Sequence, residues 1–167
     1  LDASGGDASN GNGGDASDIY VESYGGEIRN NADVYANGGN ATGGNGDGGD
    51  GGYIKVGSYV STEPSADIPA RDITWSGNIY LQAGNGSGTG GGGSTDSLFV
   101  YLDESCCDDI SRSPKAQFLG YARISVKGGD GFSGGGSADG LYLYTYDAQM
   151  ADMELPGGDI VVEADVD

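Results

Sequence analysis

Five short segments of this chain can be laid on one another, and that self-similarity limits the fold more than any other feature. Val34-Tyr35-Ala36-Asn37-Gly38-Gly39-Asn40 returns as Ile79-Tyr80-Leu81-Gln82-Ala83-Gly84-Asn85, and again as Ile124-Ser125-Val126-Lys127-Gly128-Gly129-Asp130. Leu1-Asp2-Ala3-Ser4-Gly5-Gly6-Asp7 opens the chain in the same pattern, and Ile160-Val161-Val162-Glu163-Ala164-Asp165-Val166 closes it. Successive copies start 33, 45, 45 and 36 residues apart. A unit of this size cannot bury its own apolar side, so units of this kind stack on their neighbours to make a continuous core. The expectation is one domain over 1–167, with units of about 1–33, 34–78, 79–123 and 124–159 and a closing strand at 160–167.

Each unit has room for three strands. The first column reads Leu1, Val34, Ile79, Ile124, Ile160, and two residues on Ala3, Ala36, Leu81, Val126, Val162. The second follows the Gly tract: Ile19-Tyr20-Val21, Ile54-Lys55-Val56, Leu98-Phe99-Val100-Tyr101-Leu102 and Leu141-Tyr142-Leu143-Tyr144-Thr145-Tyr146. The third is carried by Ile28, Ile73 and Phe118, spaced by 45, with Leu155 as a weaker fourth. Alternation with a period of two is strand periodicity, and no segment carries a helical period. The fold class is therefore all-β, with short strands in stacked units of β-solenoid or β-sandwich type.

Between the first and second strands of each unit lies a Gly tract, and the chain holds 35 glycines. Small residues recur there every third position: Gly5, Ala8, Gly11, Gly14, Ser17; Gly43, Gly46, Gly49, Gly52; Gly84, Ser87, Gly90, Gly93; Gly128, Gly131, Gly134, Ser137, Gly140. Three residues per turn is the polyproline-II repeat, and a small residue at every turn lets such helices pack closely. The tracts are expected to be ordered extended segments forming a layer beside the strands. Floppy Gly-rich loops are the competing reading.

This layout resembles the Gly-rich β-solenoid segments of large secreted or surface-anchored microbial proteins. The tracts taken alone resemble the polyglycine-II bundles of some antifreeze proteins and phage adhesins. Gly43-Gly44-Asn45-Gly46-Asp47-Gly48 is similar to the RTX calcium repeat but has Gly48 where that motif places an Asp ligand, so its calcium sites are not carried over.

Seven basic and 26 acidic residues, with no His, leave a net charge of −19. Phosphate recognition needs Lys and Arg, so nucleic acid is a poor partner. Ser/His and Cys/His catalysis is excluded by the missing His. No apolar run is long enough to insert in a membrane as a helix. The charge suits an extracellular or cell-surface setting in which salt or calcium screens it. With no initiating Met, Leu1 reads as a processed terminus or the edge of a longer chain.

Several constellations carry possible chemistry. Asp103, Glu104, Asp108 and Asp109 flank the cysteines and form a candidate Ca²⁺ site, weighed against a solvated acidic loop. Cys106 and Cys107 are adjacent; a vicinal disulfide, two thiols and an intermolecular bridge all remain open. Asn40-Ala41-Thr42 and Asn85-Gly86-Ser87 are N-glycosylation sequons at one register. With Asp7 and Asp130, these Asn residues are also expected to serve local turns, where Asx side chains bond their own main chain. Tyr35 and Tyr80 form one outward column, and Tyr20, Tyr101, Tyr142, Tyr144 and Tyr146 another. An exposed aromatic strip would suit sugars or a protein. The alternative, a thin second core roofed by the Gly tracts, is the expected one.

No paired carboxylates are singled out for glycosidic or lyase chemistry, and no Thr ladder suits ice. The chain is expected to be a non-enzymatic structural subunit or segment of an extracellular filament or surface layer. Self-association would run head to tail through Leu1, Ala3, Ile160, Val162 and Val166. An adhesin or carbohydrate-binding module on surface glycans is the alternative, and a polysaccharide-degrading β-helix enzyme the third. No cofactor is expected beyond possible Ca²⁺.

Overall fold

The computed structural model describes residues 1–59, 61–63, 66–68, 70, 72–103, 115–118, 123–146, 149–150, 153–154, 159–162 and 165–166. Among these residues every regular element is a β-strand. Three four-stranded parallel sheets carry the fold. The first sheet contains β3 (Val34–Tyr35), β8 (Ile79–Gln82), β11 (Arg123–Lys127) and β16 (Asp165–Val166) in that order. The second contains β1 (Ile19–Tyr24), β4 (Ile54–Tyr59), β9 (Thr95–Asp103) and β12 (Ala138–Tyr146). The third contains β2 (Ile28–Asn30), β7 (Ile73–Trp75), β10 (Lys115–Phe118) and β15 (Asp159–Val162). Two short antiparallel pairs, β5 (Ser61–Glu63) with β6 (Ala66–Ile68) and β13 (Gln149–Met150) with β14 (Met153–Glu154), lie in chain order between second-sheet and third-sheet strands.

The chain thus visits the three sheets in turn and returns one rung further along. Each strand pairs in parallel with its counterpart in the next rung: Val34 with Ile79, Ile54 with Leu98, Ile28 with Ile73. The aliphatic columns read from the sequence face inward. Val34, Ala36, Ile79, Leu81 and Ile124 meet Ile54, Val56, Leu98, Val100 and Leu102, together with Ile28, Ile73 and Trp75, in one core. Most of these side chains have no exposed surface at all, including Trp75, Ile54 and Leu98. Removing that apolar surface from water, at roughly 25 cal/mol per Å², is the main force holding the rungs in line.

Two registers differ from the sequence expectation. Ile73 pairs with Ala116 and Trp75 with Phe118, so Phe118 follows Trp75 rather than Ile73. A shift by two keeps the alternation in phase, which is why equal spacing of 45 looked sufficient. The closing segment also moves. Ile160 pairs with Ala116 and Val162 with Phe118 in the third sheet, whereas Val166 pairs with Ile124 in the first. Ile160 and Val162 therefore do not continue the column of Leu1, Val34, Ile79 and Ile124. Chain order decides this, because a third-sheet strand must come before the next first-sheet strand. Leu155, read as a third-column position, lies outside the described residues.

Candidate functional site

Beyond the ends of the first and second sheets, the four Gly tracts leave the solenoid as hairpins of extended chain and stack into a bundle of their own. A helix of three residues per turn makes no internal hydrogen bond, so each N–H needs a partner on another segment. The second tract shows how the three directions are used. Gly38 N–H donates to Gln82 O on the next rung at 2.8 Å, and Gly39 N–H to Gly14 O on the opposite limb at 2.8 Å. The third direction points back to the preceding rung, where Asn40 N–H reaches the side-chain Oδ1 of Asp7.

The opposite-limb bonds form an unbroken line across the bundle. Gly14 donates to Gly6, Gly39 to Gly14, Gly49 to Gly39, Gly84 to Gly49, Gly93 to Gly84, Gly129 to Gly93 and Gly136 to Gly129, all at 2.8–3.0 Å. Side chains are excluded along this line from Gly39 onward. A Cβ on Gly39 would collide with the carbonyl of Gly6, and one on Gly49 with that of Gly14. Gly44 and Gly88 turn the hairpin tips with φ of 73° and 59°, a left-handed backbone that favours Gly.

The Asx residues complete the third direction, and here the turn expectation is corrected. No described non-Gly residue has a positive φ. Instead Asp7 Oδ1 accepts from Asn40 N–H at 2.6 Å, Asn40 Oδ1 from Asn85 N–H at 2.9 Å, and Asn85 Oδ1 from Asp130 N–H at 2.8 Å. A second row links Asp15 to Asp50 N–H, Asp50 to Ser94 N–H and Ser94 Oγ to Ser137 N–H. A third runs from Asn12 to Asp47 N–H and from Asp47 to Gly91 N–H. The same device runs along the first sheet from Asp33 through Asn78 to Arg123 N–H. Most outward positions in these rows thus carry a short side-chain acceptor, whether amide, carboxylate or hydroxyl, with Gly91 the exception. The signal for this was in the sequence: on the return limbs, Asn12, Asp15 and Asp18, then Asp47 and Asp50, recur every third residue between pairs of small residues, mostly Gly.

Tyrosines on the outer side of the second sheet are exposed where a roof of Gly tracts was expected, while Tyr35, Tyr80 and Tyr101 are half-buried. Tyr20 is 59% exposed, Tyr24 64%, Tyr142 39% and Tyr144 37%. The Gly tracts make their closest approaches mostly to one another. The rings cover each other instead. Phe99 stacks on Tyr142 at 4.7 Å, Tyr101 on Tyr144 at 5.1 Å, Tyr24 on Tyr59 at 5.2 Å and Tyr35 on Tyr80 at 5.1 Å. At these separations and near-parallel angles the ring faces are spent on neighbours, and edges and phenol oxygens meet solvent. Lys55 crosses this face. Its Nζ lies 2.7 Å from Glu22 Oε1 and 5.2 Å from the ring centroids of Tyr59 and Tyr101. The Glu22 hydrogen bond, with that of Tyr59 behind it, raises the Lys55 pKa above the ordinary lysine range.

The remaining sequence candidates fall as follows. Asn40 and Asn85 both lie in the first Asx row, and Asn40 Nδ2 also donates to Asp7 at 3.2 Å. The sequon hydroxyls reach the preceding rung: Thr42 Oγ1 donates to Ala8 O and Ser87 Oγ to Gly43 O, both at 3.1 Å. Of the acidic group only Asp103 is described, at the end of β9; Glu104, Asp108 and Asp109 lie outside the described residues, as do Cys106 and Cys107. Among the described residues no three His, Cys, Asp or Glu gather as metal ligands. Asp2 bridges Tyr35, placing Leu1 and Ala3 beside the second rung. Leu1 is 64% exposed, and Ala3 N–H donates to Tyr35 O at 2.9 Å.

Against known proteins, no family model, no curated protein and no solved structure matches the chain.

Proposed function

We propose that this chain is a structural element of an extracellular filament or surface layer, extended along the solenoid axis by further rungs from a second copy. The observation that supports this reading most is the Gly line from Gly6 to Gly136, which crosses all four tracts with every link made by backbone. Such a ladder has no natural length. Each rung presents the same groups as the last, so the geometry favours propagation over closure. Among the described strands β1 and β2 pair on one side only, as does β12, so strand edges face along the axis. Leu1 and Ala3 lie beside the first strand of the first sheet and Val166 in its last, where pairing between copies would place them in contact. Ile160 and Val162 end the third sheet, on the side that β2 of another copy would face.

Negative-stain microscopy and sedimentation of the full chain, at low and high salt and with calcium or EDTA, test the reading. Stiff rods lengthening with protein concentration are expected, with a rung repeat of about 4.8 Å in fibre diffraction. A single monomeric species under every condition overturns it. The exposed tyrosine face supports a second reading, binding of surface glycans by ring edges and hydroxyls. Retention of the monomer on a glycan array would favour it.

A further inference from the structure

We propose that Tyr35 and Tyr80 form a site of oxidative cross-linking between adjacent rungs, with the Asp33 carboxylate as the proton acceptor. The inference is independent of filament formation. It rests on two separate observations at one place in the first sheet.

The first is the pairing of the rings. Tyr35 and Tyr80 are parallel partners on β3 and β8. Their rings are 5.1 Å apart with an interplanar angle of only 6°. The Tyr24–Tyr59 pair has a similar separation but is tilted by 23°. The second observation is the environment of the phenol. Tyr35 O–H donates to Asp33 Oδ2 at 3.0 Å. Two other phenols approach carboxylates at a longer 3.4 Å, Tyr20 to Asp18 and Tyr59 to Glu22, and Glu22 already holds Lys55. Asp33 is itself fixed in place, because its other oxygen accepts Asn78 N–H at 2.8 Å. Asp33 is a carboxylate at neutral pH, as any aspartate is, and its Oδ2 faces the phenol.

Oxidising a phenol requires both an electron and a proton to leave. An outside one-electron oxidant of the haem-peroxidase and hydrogen-peroxide class takes the electron from Tyr35 while its proton passes to Asp33. A second oxidising equivalent converts Tyr80, which lies against it. The Tyr80 phenol releases its proton to water, and the two radicals couple through ring carbons ortho to oxygen. Each of those carbons then passes its hydrogen as a proton, through solvent, to its own phenol oxygen, which restores both aromatic phenols. The two protons first released are taken up with the electrons by the peroxide. One C–C bond forms, two tyrosines are oxidised by one electron each, and one hydrogen peroxide is reduced to two waters. The asymmetry follows from the ladder: the residue two before Tyr80 is Asn78, an amide with no negative charge to receive a proton.

The test uses the full chain with a haem peroxidase and limiting hydrogen peroxide, read by dityrosine fluorescence and by mass spectrometry of linked peptides. The expected first product is an intrachain Tyr35–Tyr80 link. Asp33→Asn keeps the acceptor for Asn78 N–H, as Asn78 itself does one rung on, and should slow that link by about tenfold, less than the roughly hundredfold or more that a positioned general base usually supplies, because water also reaches this half-buried phenol. The Tyr24–Tyr59 rate should not change. Tyr80→Phe, which keeps the ring stack, should abolish the link while oxidation elsewhere continues. No Tyr35–Tyr80 link in the wild-type chain overturns the proposal, as does a link formed equally fast in Asp33→Asn. Should Asp33→Asn fail to fold by circular dichroism, the wild-type and Tyr80→Phe maps still decide.

Discussion

The N–H of Asn85 donates to the side-chain Oδ1 of Asn40, 2.9 Å away and one rung earlier. The two residues are 45 apart in the chain, and each occupies the same place in its unit. The contact shows what the outward residue of each extended turn does: it supplies the acceptor that the neighbouring backbone lacks.

Asn40→Ala should therefore cost about 1 kcal/mol in urea unfolding, the usual worth of one hydrogen bond. Asn40→Asp keeps an Oδ1 but replaces the Nδ2 donor to Asp7 with a second carboxylate, so at high salt, where that repulsion is screened, it should lie closer to wild type than Asn40→Ala. Equal losses in the two variants would mean that the side chain acts by something other than accepting this bond.

Gly46→Val should be far more damaging than Asp47→Val. A Cβ at Gly46 meets the carbonyl of Gly11 and the Cβ of Ala41, so about 3 kcal/mol or more is expected from overpacking. Asp47→Val loses the bond to Gly91 N–H and should cost about 1 kcal/mol. In the wild-type chain, amide exchange should be slow at Gly49, Gly84 and Gly93, whose N–H groups lie in the central line. Exchange at random-coil rates there would contradict an ordered bundle.

Acid should weaken the first-sheet ladder through Asp33. The Asn78 N–H, with the Tyr35 hydroxyl behind it, lowers the Asp33 pKa in the folded chain. The unfolded value is about 3.9. A lowered folded pKa contributes stability above the unfolded value, and this contribution is lost as pH falls below about 4 toward the folded value. The melting temperature of Asp33→Asn should therefore lie below wild type at neutral pH, with the gap closing as pH drops below about 4. A gap that stays constant to pH 2 would remove the linkage.

Salt should stabilise the fold. With a net charge of −19, self-repulsion acts across the whole molecule at low ionic strength. Raising salt from about 0.01 to 0.15 M shortens the screening length from about 30 to 8 Å. A rise of a few degrees in melting temperature is expected, and a flat or falling profile would show that repulsion is not a significant cost.

Much of this was legible in the chain. The columns headed by Val34 and Ile54 align in register as read, because each strand is bounded by a Gly tract or a turn that leaves one alignment. Phe118 and Ile160 were misplaced because their flanking segments vary in length and a period of two tolerates shifts by two. The order of the Gly tracts was legible from their period of three, although one row of small residues marks only one of the two packed directions. In a two-layer bundle two directions of every three are packed, as Gly38 and Gly39 show, and only the third, occupied by Asn40, faces out.

The sequence by itself determined that the chain is all-β, that its units stack, and that its tracts are extended, because periods of two and three are properties of the local chain. Only the tertiary structure decided where the Asx side chains find their donors, which rings stack, and that the tyrosine face is open. Those depend on how one rung sits over the next, a relation between residues some 33 to 45 positions apart, which no local period specifies.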